Sequence, residues 1–320
     1  MINQIIIIGG NVFKEDGPIL NFIEICKKYK IKTFLITDKT HLKYPTKNNN
    51  SLKSELNKRK IEYKCFKKFD ENTLKFITKL KNKNSIVISL NSIWIFNKKT
   101  ISKLKTIYNY HNIDLPSFRG AACHSWRIMM GEMRTSLNIH LVSEKIDQGE
   151  VVLRKKIKIP KHCLNLSSFY DYLIPHETNF FEEFIKKLNK KKKIKSIKQN
   201  NLDSFYWPAL KTPINGFVDW NWTSKEIVSF CHAFDAPFIG ISTFLNNKKI
   251  YLINAKISDK KKFHPFQIGL IYRKVKSRIF VATSNGGVSF NFANPKKIKF
   301  KLGDRLHTDP KSILISRGIN

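Results

Sequence analysis

The sequence predicts an α/β fold, a mostly parallel sheet with helices on both faces, followed by a smaller β-rich domain. Three observations carry that expectation. Short β-rich runs alternate with helical patterns through residues 1–195, an alternation that builds parallel sheets. A polar stretch at 196–204 then interrupts the pattern. Beyond it, asparagine-rich turns separate strand-like runs, which is a hairpin signature.

In chain order, the isoleucine run at residues 5–8 reads as a buried strand, and Leu20, Ile23, Ile25 and Cys26 fall near one face of a helix. Between them Gly9-Gly10 reads as a tight strand-exit turn. It is not G-x-G-x-x-G and continues as Asn11, Val12 and Phe13, so a nucleotide-binding loop is disfavoured. Residues 33–36 form a second strand, and the polar stretch through Asn48-Asn49-Asn50 a loop. Leu74, Ile77 and Leu80 mark a helix, residues 85–90 a strand, and residues 106–110 another strand that delivers Asn109 and His111 at its end. Ligands of such sheets bind beyond the carboxyl ends of the strands.

Residues 167–188 read as a long helix ending in lysines 190–193, where positive charge suits the helix dipole without any nucleic-acid partner. The division expected is a first domain at 1–195, a linker at 196–204 and a β-rich, barrel-like domain at 205–320. In the last, residues 224–232 form a short helix. Asn246-Asn247 sits between strands 241–245 and 250–253, and Asn285-Gly286 between strands 279–283 and 288–292.

At 320 residues the chain can bury two cores, and 42% hydrophobic with 12% aromatic content excludes a disordered polymer. No apolar run approaches the roughly 20 residues that span a bilayer. The stretch at 5–8 is too short for a signal-peptide core, so a soluble, cytoplasmic protein is expected. Cys26, Cys65, Cys123, Cys163 and Cys231 are scattered without a C-x-x-C pair. They read as free thiols, with no metal centre and no disulfide framework. The net charge of +35 would draw an anionic partner, tRNA or a phosphorylated small molecule. Lysine recurs everywhere, as A/T-rich coding would also produce, so selected charge and composition bias both stay open.

The informative stretch is Asn109-Tyr110-His111-Asn112-Ile113-Asp114-Leu115-Pro116-Ser117-Phe118-Arg119-Gly120, with its companion Ile146-Asp147-Gln148-Gly149. Asn109 and His111 alternate along an extended chain, so both can project to one face. Leu115-Pro116 turns the chain, and Gly120 permits close backbone approach to a ligand. Singly, each residue has an ordinary reading as a turn, surface or loop residue. The remaining histidines, His140 among them, form no metal-binding spacing. His124 and Arg127 are candidate acceptor or folate contacts, and Trp126 reads as core.

In these motifs the sequence resembles the folate-dependent formyltransferases, the superfamily of methionyl-tRNA formyltransferase and glycinamide ribonucleotide transformylase. The shared pattern is Asn109-x-His111, Leu115-Pro116 before Arg119-Gly120, and Asp147-x-Gly149, with Gly131-Glu132, Thr135 and Ile139 between. Pro213 to Trp220 and Ala233 to Gly240 resemble segments of the tRNA enzymes' C-terminal domain. The resemblance implies a Rossmann-like domain that takes formyl from 10-formyltetrahydrofolate, without a metal. In that reaction a neutral amine attacks the formyl carbon. Asn109 would donate to the developing oxyanion, His111 would carry a proton between the amine and N10, and Asp147 would orient His111 and help deprotonate the amine. Ile113, Asp114, Leu115 and Pro116, with residues 87–95, would lie along the folate.

Two departures bear on the partner. Ile113 and Asp114 stand where the family has a small hydroxyl residue and a leucine, and Cys123 replaces a proline of the tRNA enzymes. Residues 37–45 contain lysines but neither glycine nor arginine, unlike the loop that enters the acceptor stem in tRNA enzymes. The acceptor expected is therefore a small-molecule amine, a nucleotide-linked amino sugar, with methionyl-tRNA as the alternative. A non-catalytic RNA-binding relative is the reading from a different class. Membrane association is not expected, and the pattern is compatible with a homodimer.

Overall fold

A computed structural model describes residues 1–10, 17–46, 50–190, 194–293 and 298–318. Asn11, Val12 and Phe13, Asn48-Asn49, and lysines 191–193 lie outside the described residues. The chain gathers into two compact units. The first comprises Met1–Gly120, Arg134–Ile159 and Tyr170–Tyr206; the second comprises Ala121–Met133, Pro160–Phe169 and Trp207–Asn320.

The strands of the first part of the chain are β1 (Gln4–Gly9), β2 (Lys32–Thr37), β3 (Glu62–Cys65), β4 (Ser85–Leu90), β5 (Ile107–His111), the two-residue β6 (Arg119–Gly120), β7 (Arg134–Leu141) and β8 (Val151–Lys158). Seven of them form one sheet in the order β3-β2-β1-β4-β5-β7-β8. The first five run parallel, whereas β7 is antiparallel to β5 and β8 to β7. The helices of the same stretch of sequence are α1 (Pro18–Lys28), α2 (Lys39–Lys43), α3 (Leu52–Lys58), α4 (Glu71–Leu80), α5 (Lys98–Leu104), α6 (Cys123–Met129), which belongs to the second unit, and α7 (Leu166–Asn189).

All six residues of β1 are buried, and its isoleucines at 5–8 form an unbroken apolar run rather than an alternation, as in strands covered on both faces. On one face Ile6, Ile8, Phe34, Ile36, Val87 and Ile107 pack with Leu74 and Ile77 of α4 and Leu104 of α5. On the other, Phe22 of α1 meets Phe181 of α7 at 4.9 Å, and Tyr108 and Tyr110 of β5 meet Phe184 and Phe181. Side-chain caps start the exposed helices: Asp70 accepts from the Asn72 and Thr73 amides, and Asn97 from Thr100.

Gly9-Gly10 marks a close approach as well as a turn. At Gly9, with φ 154°, a Cβ would stand 1.8 Å from the Leu90 carbonyl oxygen; at Gly10 it would stand 1.9 Å from the His41 ring. That ring belongs to α2, a short helix where the sequence suggested a loop. Asp38 caps α2 by accepting from the Thr40 and His41 amides, and its second oxygen meets His41 Nδ1 at 2.5 Å. Burial lowers the His41 pKa against the opposing pull of Asp38.

In the second unit, β9 (Tyr206–Trp207), α8 (Thr212–Asn215) and α9 (Ser224–Phe234) lead into β10 (Ile241–Leu245), β11 (Lys248–Asp259), β12 (Ile271–Val275), β13 (Arg278–Thr283), β14 (Gly286–Phe292) and α10 (Pro310–Ser316). β9 begins at the last residue of the first unit. The antiparallel sheet has the order β10-β11-β14-β13-β12. Asn246 and Asn247 both have positive φ, 47° and 62°, the conformation a two-residue hairpin turn demands. Gly286 already pairs with Thr283, so the second hairpin turns at Ser284-Asn285, one residue earlier than expected. A reciprocal cap between Thr223 and Glu226 starts α9, whose Ile227, Phe230, Cys231 and Phe234 are buried.

Ile6 is fully buried in the first core. Ile6→Ala is expected to lower the unfolding free energy by about 2–5 kcal/mol, read as a fall in the urea midpoint at unchanged slope.

Candidate active site

The site begins with a strand register. Antiparallel pairing of β5 with β7 sets Asn109 opposite His140 and His111 opposite Asn138. Directly opposed residues share a face of the sheet, so four polar side chains gather on one side. Tyr108 and Tyr110 point to the other side, where the Tyr110 hydroxyl donates to buried Glu177.

Polar residues of β7 then hold the chain as it leaves β5. Asn138 is fully buried and donates to the Ile113 carbonyl at 2.7 Å and the His111 carbonyl at 3.2 Å. Its amide oxygen accepts from Arg154 Nε at 2.9 Å, and Arg154 Nη2 donates to the Leu115 carbonyl at 2.7 Å. Ser136 donates to Asp114 Oδ1 at 2.7 Å. Each such buried group finds a partner, as burial requires.

His111 Nε2 lies 2.7 Å from the Phe118 carbonyl oxygen. A carbonyl cannot donate, so Nε2 carries the proton and Nδ1 faces Asp147, 4.0 Å from its Oδ2. That separation is a charge interaction rather than a hydrogen bond. The ring's hydrogen-bond anchor is thus the Phe118 carbonyl, where the sequence suggested Asp147. Asp147 sits at φ 53° and accepts from the Gly120 amide at 2.9 Å. Its other oxygen lies 3.5 Å from His140 Nε2. Burial alone would raise the Asp147 pKa. The imidazoles of His111 and His140 and the Gly120 N–H outweigh it and hold the carboxyl well below the usual carboxylate range.

The D-x-G pattern has a steric cause. A Cβ on Gly149 would stand 1.6 Å from the Leu141 carbonyl oxygen, so only glycine lets the Asp147 loop close onto β7. Residues 196–204, expected as a polar linker, supply a further brace. Gln199 is buried, donates to the carbonyls of Asp147 at 2.8 Å and Gly149 at 2.7 Å, and accepts from Arg119 Nη2 at 2.9 Å.

The candidate folate residues divide by exposure. Ile113 and Leu115 are each 1% exposed, so their side chains belong to the core, while Asp114 and Pro116 are half-buried. Ile93 and Ile95 are exposed beyond β4. His124 and Arg127 are buried on α6 in the second unit, with the Arg127 guanidinium over the Phe169 ring at 4.7 Å. Trp126 is half-buried, its indole N–H donating to the Pro208 carbonyl, rather than core.

His140, set aside in the sequence because it lacked metal-binding company, lies between Asn109 and Asp147. Its Nε2 is 3.0 Å from the Asn109 amide nitrogen, and its Nδ1 is 2.8 Å from the Leu141 carbonyl oxygen. The available signal was the alternation of Ser136, Asn138 and His140, which puts polar groups on one face of a strand.

The formyl transferase family model matches residues 19–185, more than half of the chain, and the family's C-terminal domain model matches residues 211–301. The chain belongs to the formyl transferase family. It is 30% identical over 195 residues to the methionyl-tRNA formyltransferase of Fusobacterium nucleatum, a match covering 60% of this chain and 61% of that one. The chain therefore spans less than two thirds of that relative's length. Among solved structures, the N-formyltransferase from Helicobacter canadensis, in complex with folinic acid and dTDP-3-aminofucose, is similar with a TM-score of 0.66 at 17% identity. That likeness covers 91% of this chain and 100% of the other. The sugar 3N-formyl transferase WlaRD, with dTDP and 5-N-formyl-THF, gives a TM-score of 0.64 at 18% identity, covering 92% and 99%. These likenesses establish the shared fold. No helix among the described residues is long and apolar enough to cross a membrane.

The lowered Asp147 pKa has a signed consequence for stability. Its stabilisation is complete above the unfolded carboxylate value of about 3.9 and is lost as pH falls through the lower folded value. Asp147→Asn is therefore expected to unfold more readily than the wild type at neutral pH. The gap should shrink in acid below pH ~3, as measured by denaturant titrations across that range.

Proposed function

We propose that this protein is an N-formyltransferase that moves the formyl group of 10-formyltetrahydrofolate to a primary amine, that of a nucleotide-linked amino sugar. The observation that carries the reaction is the convergence of Asn109, His111 and Asp147, with the half-buried Asp147 carboxylate 4.0 Å from His111 Nδ1, the ring nitrogen turned away from Phe118. As the amine attacks the formyl carbon, charge develops on the formyl oxygen, and the Asn109 N–H would stabilise it. His111 Nδ1 would take the proton released from the amine, beside the negative Asp147, and return it to N10 as the C–N10 bond breaks. His111 Nε2 stays bonded to Phe118 throughout, so the ring shuttles the proton without turning. Asp114 and Pro116, with the backbone of 113–116, would flank the folate.

The amino-sugar acceptor is supported by residues 37–45. They lack arginine and glycine and fold into α2, packed on Gly10, instead of forming a long basic loop. The solved sugar enzymes, with dTDP or dTDP-3-aminofucose bound, share the fold across nearly their whole length. Methionyl-tRNA is the second reading, favoured by the 30% identity to the Fusobacterium enzyme.

Tetrahydrofolate release from 10-formyltetrahydrofolate separates these readings. It should occur with a nucleotide-linked 4-amino-4,6-dideoxyhexose and not with charged initiator tRNA. Turnover with tRNA alone would replace the acceptor, and tight RNA binding without release on any amine would favour the non-catalytic relative. His111→Ala and Asp147→Asn should each lower kcat by at least ~100-fold, the scale of a lost acid–base partner. Near-normal rates in either variant would remove that residue from the mechanism.

A further inference from the structure

His140 is almost completely buried and touches both ends of the proposed chemistry, the Asn109 carboxamide and the Asp147 carboxylate. Its two ring nitrogens have different neighbours, and those neighbours determine its protonation pattern. Nδ1 lies 2.8 Å from the Leu141 carbonyl oxygen, which can only accept, so Nδ1 bears a hydrogen. When the ring is neutral, Nε2 is then a lone pair. The Asp147 oxygen stands 3.5 Å from it, too far for a good hydrogen bond. The nearer group at 3.0 Å, the Asn109 amide nitrogen, is the one that can donate.

This fixes the direction of a carboxamide that could otherwise turn over. One Asn109 N–H is held by His140, the second remains on the same side of the group, and the carbonyl oxygen is turned away. The opposite orientation would place the Asn109 oxygen against the Nε2 lone pair, two acceptors facing each other in a buried site. It would also present an oxygen, instead of a donor, to any developing negative charge.

We infer that His140 is a positioning residue that, as its Nδ1–H tautomer, orients the Asn109 amide so that its free N–H faces the formyl oxygen. The Leu141 carbonyl is the origin of the relay, and Gly149 leaves room beside it, because a side chain there would collide with that oxygen. The inference rests on the formyl-transfer reading for its catalytic consequence, but its structural content is independent of any substrate.

Two measurements test it. In the full chain labelled with ¹⁵N-histidine, the His140 nitrogens should show the Nδ1–H tautomer at neutral pH; an Nε2–H tautomer overturns the inference whatever the activity. Kinetically, His140→Leu should lower kcat about 10–100-fold, short of the loss of an oxyanion donor itself, with the KM for 10-formyltetrahydrofolate within ~3-fold of wild type. His140→Gln, whose side-chain oxygen sits the same number of bonds from the backbone as Nε2, should restore most of that rate. In an Asn109→Ala background His140→Leu should cost no more than ~2-fold, because its target is gone. An equal loss in both backgrounds would show that His140 acts otherwise. If His140→Leu does not fold, His140→Gln and the tautomer decide. Absence of release by the wild type would overturn the formyl-transfer reading, and the tautomer would then decide the amide orientation alone.

Discussion

The site depends on the antiparallel pairing of β5 with β7. Parallel strands carry the sheet as far as β5, and a ligand edge built only from their carboxyl ends would present loops. Reversing direction at β7 instead sets a second strand beside Asn109 and His111 along their whole length. The side chains that hold the Asn109 amide and residues 111–115, namely His140, Asn138, Ser136 and Arg154, come from β7 or from β8 beyond it. A slip of one residue would turn all of β7's polar side chains to the opposite face, against Phe180 and Phe181. The register therefore fixes the chemistry and the core together.

Burying so many polar groups is stable only because each is answered. Asn138 uses both ends of its amide, and Gln199 joins two carbonyls to Arg119. A partly satisfied network of this size would cost more than an apolar one. Full satisfaction converts a segment without regular structure, residues 112–118, into a rigid frame. The His111 ring hangs from that frame by Phe118.

Much of this was legible in the sequence, for identifiable reasons. The isoleucine run of β1, the helix of Leu74 and Ile77, and the Asn246-Asn247 hairpin are written in local periodicity and turn chemistry, which neighbours in sequence decide. Asn109, His111 and Asp147 were legible because their motifs are contiguous. His140 was not, because its partners lie 31 residues before it and seven residues after it in sequence. The same holds for Gln199, a polar residue in a polar stretch whose burial arises only when the chain folds back. For α2 the local signal was present, since Asp38 precedes Thr40 and His41 as an N-cap. It was hidden by the expectation of a loop.

Gln199 also carries a meaning for how the protein can be taken apart. The sheet, its helices and the three motif residues are all complete before residue 195. A fragment ending there would keep Asn109, His111 and Asp147 and still lack the clamp on the Asp147 and Gly149 carbonyls. Such a piece would hold the Asp147 carboxylate on a loop that has lost one of its tethers. The part of the chain that builds the candidate site thus extends to Gln199, beyond the end of α7.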